Sequence, residues 1–196
     1  MSNKEFQIAK QRALTSLEQA KKNKEVDSAI LPLLSLINSF EEYYTSSSCA
    51  GRIVLLEIPE IGDKQQATFL GKWHRPITIN EVRLCFKKYH NHYLWMLAQP
   101  PIFHIGAASI DAADSMIKYA VASGFKNSGL RSLQKKIILE VCSTERLDAP
   151  LGKNGSILCT EQLLRLCIEH ANTVLQKSQQ KLYRFKRLLK GRILDK

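Results

Sequence analysis

The sequence predicts an α+β domain: a mixed, mainly antiparallel sheet with flanking helices and a long C-terminal helix, rather than a Rossmann-type fold. Three observations point there. Short runs rich in branched residues are joined by hairpin-like turns, amphipathic segments flank these runs rather than alternate with them singly, and neither GxGxxG nor GxxxxGK[ST] follows a strand.

Phe6, Ala9, Ala13, Leu17 and Ala20 recur at helical spacing, which predicts a first helix over Asn3 to Lys22. Asp27 stands as N-cap of a second helix ending near Asn38, with Pro32 limiting its early turns. Ser46 to Arg52 reads as a polar loop leading into the buried strand Arg52 to Ile58, which Pro59 and Gly62 close. Ile61 to Lys64 has hairpin-turn composition, and Gln66 to Trp73 is the expected antiparallel partner. A helix over Thr78 to Tyr89, with Asn80 or Thr78 as cap, precedes strands His92 to Ala98 and Phe103 to Ala107, separated by the stiff corner Pro100-Pro101. Ser109 to Ser123 is helical and is stopped by Gly124. Strands follow over Lys126 to Ser132 and Lys136 to Ser143. A loop, Leu147 to Gly155, leads to the short strand Ser156 to Cys159 and to a helix capped by Thr160 that reaches about Lys190.

With 196 residues, 44% hydrophobic and 24% charged, the chain is expected to form one globular domain over residues 1–196. No apolar run reaches membrane-spanning length and residues 1–10 lack a signal-peptide pattern, so a cytoplasmic protein is expected. Five cysteines without a CxxC pair argue against a disulfide framework or zinc ribbon, and five histidines without HExxH give no metal site. The formal charge of +11 and pI near 9.5 favour a polyanionic partner, nucleic acid ahead of membrane. Lys177, Lys181 and Arg184 share one helix face at the basic C-terminus, either a solvated face or a nucleic-acid contact, while Leu175, Leu182, Phe185 and Leu189 can face the body.

Ser46-Ser47-Ser48-Cys49-Ala50-Gly51-Arg52 combines hydroxyls, a glycine allowing close backbone approach and a guanidinium fork suited to carboxylate or phosphate. It is a ligand loop or a serine-rich turn. Three further blocks stand in order behind it: Phe69-Leu70-Gly71-Lys72-Trp73-His74-Arg75-Pro76, Ser123-Gly124-Phe125-Lys126-Asn127-Ser128-Gly129, and Ser143 to Gly152. Together these resemble the tRNA wybutosine-synthesizing protein 3 family in its single-domain archaeal form, over Val26 to Asn172.

The resemblance implies an S-adenosylmethionine-dependent methyltransferase acting on tRNA(Phe), at ring nitrogen N4 of the demethylated tricyclic guanosine derivative 3′ of the anticodon. Methyl transfer to nitrogen needs alignment of donor and acceptor and a base for the acceptor's proton, but no covalent enzyme intermediate. On this reading Ser47, Ser48, Gly51, Arg52, Asn127 and Ser128 surround the cofactor. Lys72, Trp73, His74, Arg75, Lys126 and Arg146 meet tRNA, with Trp73 either stacking on the enlarged base or filling the core. Asp27, His104 and Ser48 are the candidate catalytic groups. Asp27 is alternatively a helix cap and His104 a satisfied core histidine; Cys49 is read as a structural thiol, with a Cys49 nucleophile as a third reading. The rival class is a non-catalytic RNA-binding module. Oligomeric state is not legible.

Overall fold

Alternating inward-facing residues on nine short strands sort into two sheets in the computed structural model, which describes residues 2–62 and 65–194. In chain order the elements are α1 (Asn3–Lys22), a 3-10 turn (Ser28–Ile30), α2 (Leu31–Ser39), β1 (Tyr43–Cys49), β2 (Arg52–Ile58), β3 (Thr68–Trp73), α3 (Ile79–Phe86), β4 (Tyr93–Gln99), β5 (Ile102–Ala107), α4 (Ile110–Ala122), β6 (Gly129–Ser132), β7 (Ile137–Cys142), β8 (Leu147–Lys153), β9 (Ser156–Ile157) and α5 (Glu161–Leu194). The α+β class and the long C-terminal helix are as expected, while the one mixed sheet resolves into two whose described pairings are all antiparallel.

The residues group into two compact units, one formed by 1–50, 101–144 and 179–196, the other by 51–100 and 145–178. The first unit holds the sheet β1-β5-β7-β6. One face of it buries Phe103, Ile105, Leu139 and Val141 against α2, α4 and the end of α5, where Ile37, Met116, Phe125 and Phe185 are fully enclosed. On the opposite face, Tyr44 and Ile138 pack with Phe6, Ala9 and Ala13 of α1. Gly106 lies between Tyr44 and Ile138 in register, and a Cβ there would meet the Tyr44 ring at 2.2 Å. Gly106→Ala is therefore expected to cost about 1–3 kcal/mol, seen as a lower urea midpoint, because the buried ring has to shift.

The second unit holds the sheet β3-β2-β4-β8-β9. Ile53, Leu55, Leu94, Met96 and Leu151 pack there with Val82 of α3 and with Leu164, Ile168, Ala171 and Leu175 of α5. Thr78 caps α3 in a reciprocal box with Glu81, and Thr160 Oγ1 accepts from Leu163 N at 3.2 Å at the start of α5. Glu57, buried in β2, accepts backbone N–H groups of His90, Asn91 and His92 at 2.9–3.3 Å and so fixes the turn before β4.

Four further expectations need correction. Ser46 to Cys49 is strand rather than loop: the serines suggest a turn, but the segment pairs with β5, and strand is interrupted only at Ala50-Gly51. Leu147 to Lys153 is strand as well. It tolerates Pro150 because the register shifts from Leu94↔Gly152 to Trp95↔Pro150, leaving a bulge at Leu151. Asp27 occupies the cap position of the 3-10 turn yet makes no side-chain cap bond, and its Oδ2 accepts from Ala50 N at 2.9 Å. Lys181 leaves the exposed basic face: the buried stripe Val174, Ser178, Lys181, Phe185, Leu189 runs through it, and its methylenes lie against Gly124. The Ile61 to Lys64 turn falls partly outside the described residues, at Asp63 and Lys64.

Candidate active site

A bulge builds the site. Thr45 pairs with Ile105 and Ser47 with His104, so Ser46 is an extra residue in β1 and Ser47 is carried onto the face that bears His104. Ser47 Oγ lies 2.7 Å from His104 Nδ1. His104 stands opposite Glu140 of β7, with Nε2 to Oε2 at 3.0 Å. The other carboxylate oxygen accepts from Arg131 Nη2 at 2.8 Å, and Arg131 is itself the residue skipped by a register shift in β6.

The order of these bonds sets the protons. Glu140 accepts from Arg131 as a carboxylate, so His104 carries its proton on Nε2 and donates it to Glu140. In the neutral imidazole Nδ1 is then an acceptor, and Ser47 donates its hydroxyl proton to it. Ser47 is exposed, His104 has a side-chain exposure of 32% and Glu140 of 12%, so the row runs from solvent into the sheet. Such a row can take a proton from a group lying against Ser47 and hold it on the imidazole beside a fixed carboxylate.

Clefts border the row on both sides. One, of about 260 Å³, has Leu17 and Ala20 of α1 and Val26 on one wall and Ser46, Ser47 and Ser48 on the other. The second, of about 270 Å³, is lined by Asn127, Ser128, Gly129, Leu130, Arg131 and Glu140.

Among the residues singled out in the sequence, the first unit brings together Ser47 and His104 on adjacent strands, while Ser48 pairs with Phe103 and so takes the opposite face. Asn127 and Ser128 line the second cleft, but the Ser128 hydroxyl donates to Phe125 O at 2.7 Å and accepts from Cys142 N at 3.3 Å, and Asn127 N donates to Cys142 O. Lys126 is exposed beside them. Asp27 holds Ala50 N, at the end of β1.

In the second unit, Gly51 is buried with a φ of +87°, a left-handed geometry that favours glycine, and its carbonyl accepts from His74 Nδ1 at 2.9 Å. Arg52 Nε donates to Gln99 Oε1 at 2.8 Å, with the guanidinium 5.8 Å from the Phe69 ring centre. Trp73 folds its indole over Gly71, where a Cβ would come within 2.1 Å, and it packs partly buried against the core. Lys72 is exposed, and Arg146 is paired with Asp148.

Arg75 bonds Glu81 at 2.6 Å. The Arg75 guanidinium foremost, then the Thr78 N–H and hydroxyl, hold the Glu81 carboxyl down at about 2, against an ordinary 4.5. A depressed carboxyl contributes stability that is complete above its ordinary range and is lost as pH falls through the folded value. The α3 cap is therefore expected to persist through pH 4 and weaken towards pH 2, about where carbon-detected titration of Glu81 is expected to show its midpoint.

Glu140 and Arg131 escaped sequence reasoning. The available signal was a lone acid in the apolar run Ile137 to Cys142. Glu57 gives the same signal in β2 and is spent on backbone N–H groups, so strand position alone does not separate the two.

The profile of the family described as Methyltransferase TYW3 matches residues 8–191. A Pyrococcus furiosus protein named tRNA(Phe) 7-((3-amino-3-carboxypropyl)-4-demethylwyosine(37)-N(4))-methyltransferase 1 is 46% identical over 180 residues, 91% of this chain and 92% of its own. A Thermococcus sibiricus methyltransferase of the same description is 41% identical over 180 residues, covering 91% of each chain. Among solved structures, a Pyrococcus horikoshii protein superposes with a TM-score of 0.92 at 44% identity, over 95% of this chain and 97% of that one. With a profile matched almost end to end and relatives this similar over nearly their whole length, the chain belongs to the Methyltransferase TYW3 family.

Proposed function

We propose that this protein methylates ring nitrogen N4 of the 7-(3-amino-3-carboxypropyl)-4-demethylwyosine base of tRNA(Phe), with S-adenosylmethionine as donor. The observation that carries the reading is the near-full-length similarity to relatives named for that reaction. It makes a non-catalytic RNA-binding module the weaker account.

The chain's own residues supply what N-methylation needs. When bound, S-adenosylmethionine would offer a methyl group on a sulfonium, from which a ring nitrogen can displace the thioether in line, leaving S-adenosylhomocysteine. The cleft beside β1 fits such a donor chemically, since an apolar wall of Leu17, Ala20 and Val26 suits its aromatic part and the Ser47 hydroxyl suits its polar part. As the new N–C bond forms, the nitrogen's proton passes to Ser47 Oγ while the Ser47 proton moves to His104 Nδ1. Glu140, held by Arg131, offsets the charge on the imidazolium. Asp27 positions the end of β1 through Ala50 N.

The tRNA is bound by Lys126 and by Arg52, Lys72, Trp73, His74, Arg75 and Arg146 of the second unit. Arg75 and Arg146 exchange their present carboxylate partners for phosphates. On α5, exposed Tyr183 and Arg184 flank a shallow groove of about 540 Å³ that suits the same backbone. A cytoplasmic location belongs to this reading, and no described helix is long and apolar enough to cross a membrane.

Labelled methyl from S-adenosylmethionine is expected in tRNA(Phe) carrying the demethylated precursor and absent from tRNA(Phe) with an unmodified guanosine there. Calorimetric titration is expected to show S-adenosylhomocysteine binding. No heat at millimolar ligand and no label in precursor tRNA would sink the proposal.

A further inference from the structure

We infer that the cleft between β6 and the turn before it is a subsite for an α-amino-acid head group, read by Arg131, Glu140 and Asn127. The inference rests on the proposed reaction and deepens it. Arg131 spends one N–H on Glu140, and among the described residues its guanidinium has no other partner, so four of a guanidinium's five donors stay available. Glu140 is anchored by His104 and Arg131 through one contact at each oxygen, and each oxygen keeps a second acceptor direction. Both groups border the same open cleft, with the exposed Asn127 at its rim.

A paired guanidinium and carboxylate with an amide at the rim complements a zwitterion. The ligand's carboxylate takes the free edge of Arg131, and its ammonium lies on Glu140. A simple phosphate fits less well, because Glu140, only 12% exposed, would repel it.

Two ligands of the proposed reaction carry this head group. The relatives' substrate bears a 3-amino-3-carboxypropyl chain, and the methionine portion of the methyl donor ends in the same aminocarboxypropyl unit. Because Glu140 also holds His104, whichever head group docks here is registered against the proton-accepting row. That gives the cleft a role in choosing the substrate as well as in binding it.

The test compares wild type with Arg131→Gln and Arg131→Lys. Equilibrium affinities are measured for tRNA(Phe) bearing the aminocarboxypropyl base, for tRNA(Phe) bearing the same tricyclic base without that chain, and for S-adenosylhomocysteine. Wild type is expected to prefer the first tRNA by about tenfold or more, Arg131→Gln to hold the two equal within about twofold, and Arg131→Lys to keep part of the preference. If instead Arg131→Gln keeps the tRNA preference and loses about tenfold or more in S-adenosylhomocysteine affinity, the head group is the donor's and the subsite stands. Unchanged tRNA preference and unchanged S-adenosylhomocysteine affinity in a folded Arg131→Gln protein overturn the subsite. Methyl transfer by wild type in the same samples reports on the reaction separately, so loss of turnover and loss of the subsite are read by different measurements.

Discussion

His104→Ala is expected to lower the single-turnover rate of methyl transfer by about 10²–10⁴-fold while tRNA and S-adenosylhomocysteine affinities stay close to wild type. The size follows from position. His104 links the exposed Ser47 hydroxyl to Glu140, and without it the proton from the acceptor nitrogen has no basic destination in the row. The fold is expected to tolerate the change, since His104 is one-third exposed and Glu140 keeps its bond to Arg131. Ser47→Ala is expected to be milder, because a water can stand in for one hydroxyl, and it serves as a graded control. A His104→Ala protein that transfers methyl at the wild-type rate would remove the row from the chemistry.

Phe185→Ala is expected to destabilise the protein by about 3–5 kcal/mol, measured as a lower urea midpoint. Phe185 is fully buried, its ring centre is 5.6 Å from Phe125, and Phe125 lies edge-on to Phe103 at 6.4 Å. Truncation leaves a ring-sized void in this aromatic chain. Phe103 precedes His104 in β5 and faces the opposite side of the sheet, so this aromatic chain ends on the strand that carries the Ser47–His104–Glu140 row. A change below about 1 kcal/mol would mean that the end of α5 adds little to the first unit's core.

Long, strongly periodic segments were legible. The first helix, the strand Arg52 to Ile58 and the Ser109-capped helix α4 emerge where local spacing and caps agree with burial. Short-range reasoning failed where pairing partners decide. Ser46 to Cys49 carries turn-forming residues yet is strand because the segment pairs with β5, and Lys181 looks solvated until the packing stripe of α5 passes through it. Ser47 and His104 were visible as chemically suited residues, but their bond depends on a bulge at Ser46 that no local pattern announces. Glu140 and Arg131 come from strands distant in sequence from β1, so only the register β1-β5-β7-β6 reveals them as one row.

Nucleoside analysis by mass spectrometry of precursor tRNA(Phe) incubated with the wild-type protein and S-adenosylmethionine bears most directly on the central claim. One added methyl group is expected, localised by fragmentation to N4 of the tricyclic base, with no product when the cofactor is left out. A methyl group at any other atom, or none in a sample shown to bind both tRNA and cofactor, would contradict it.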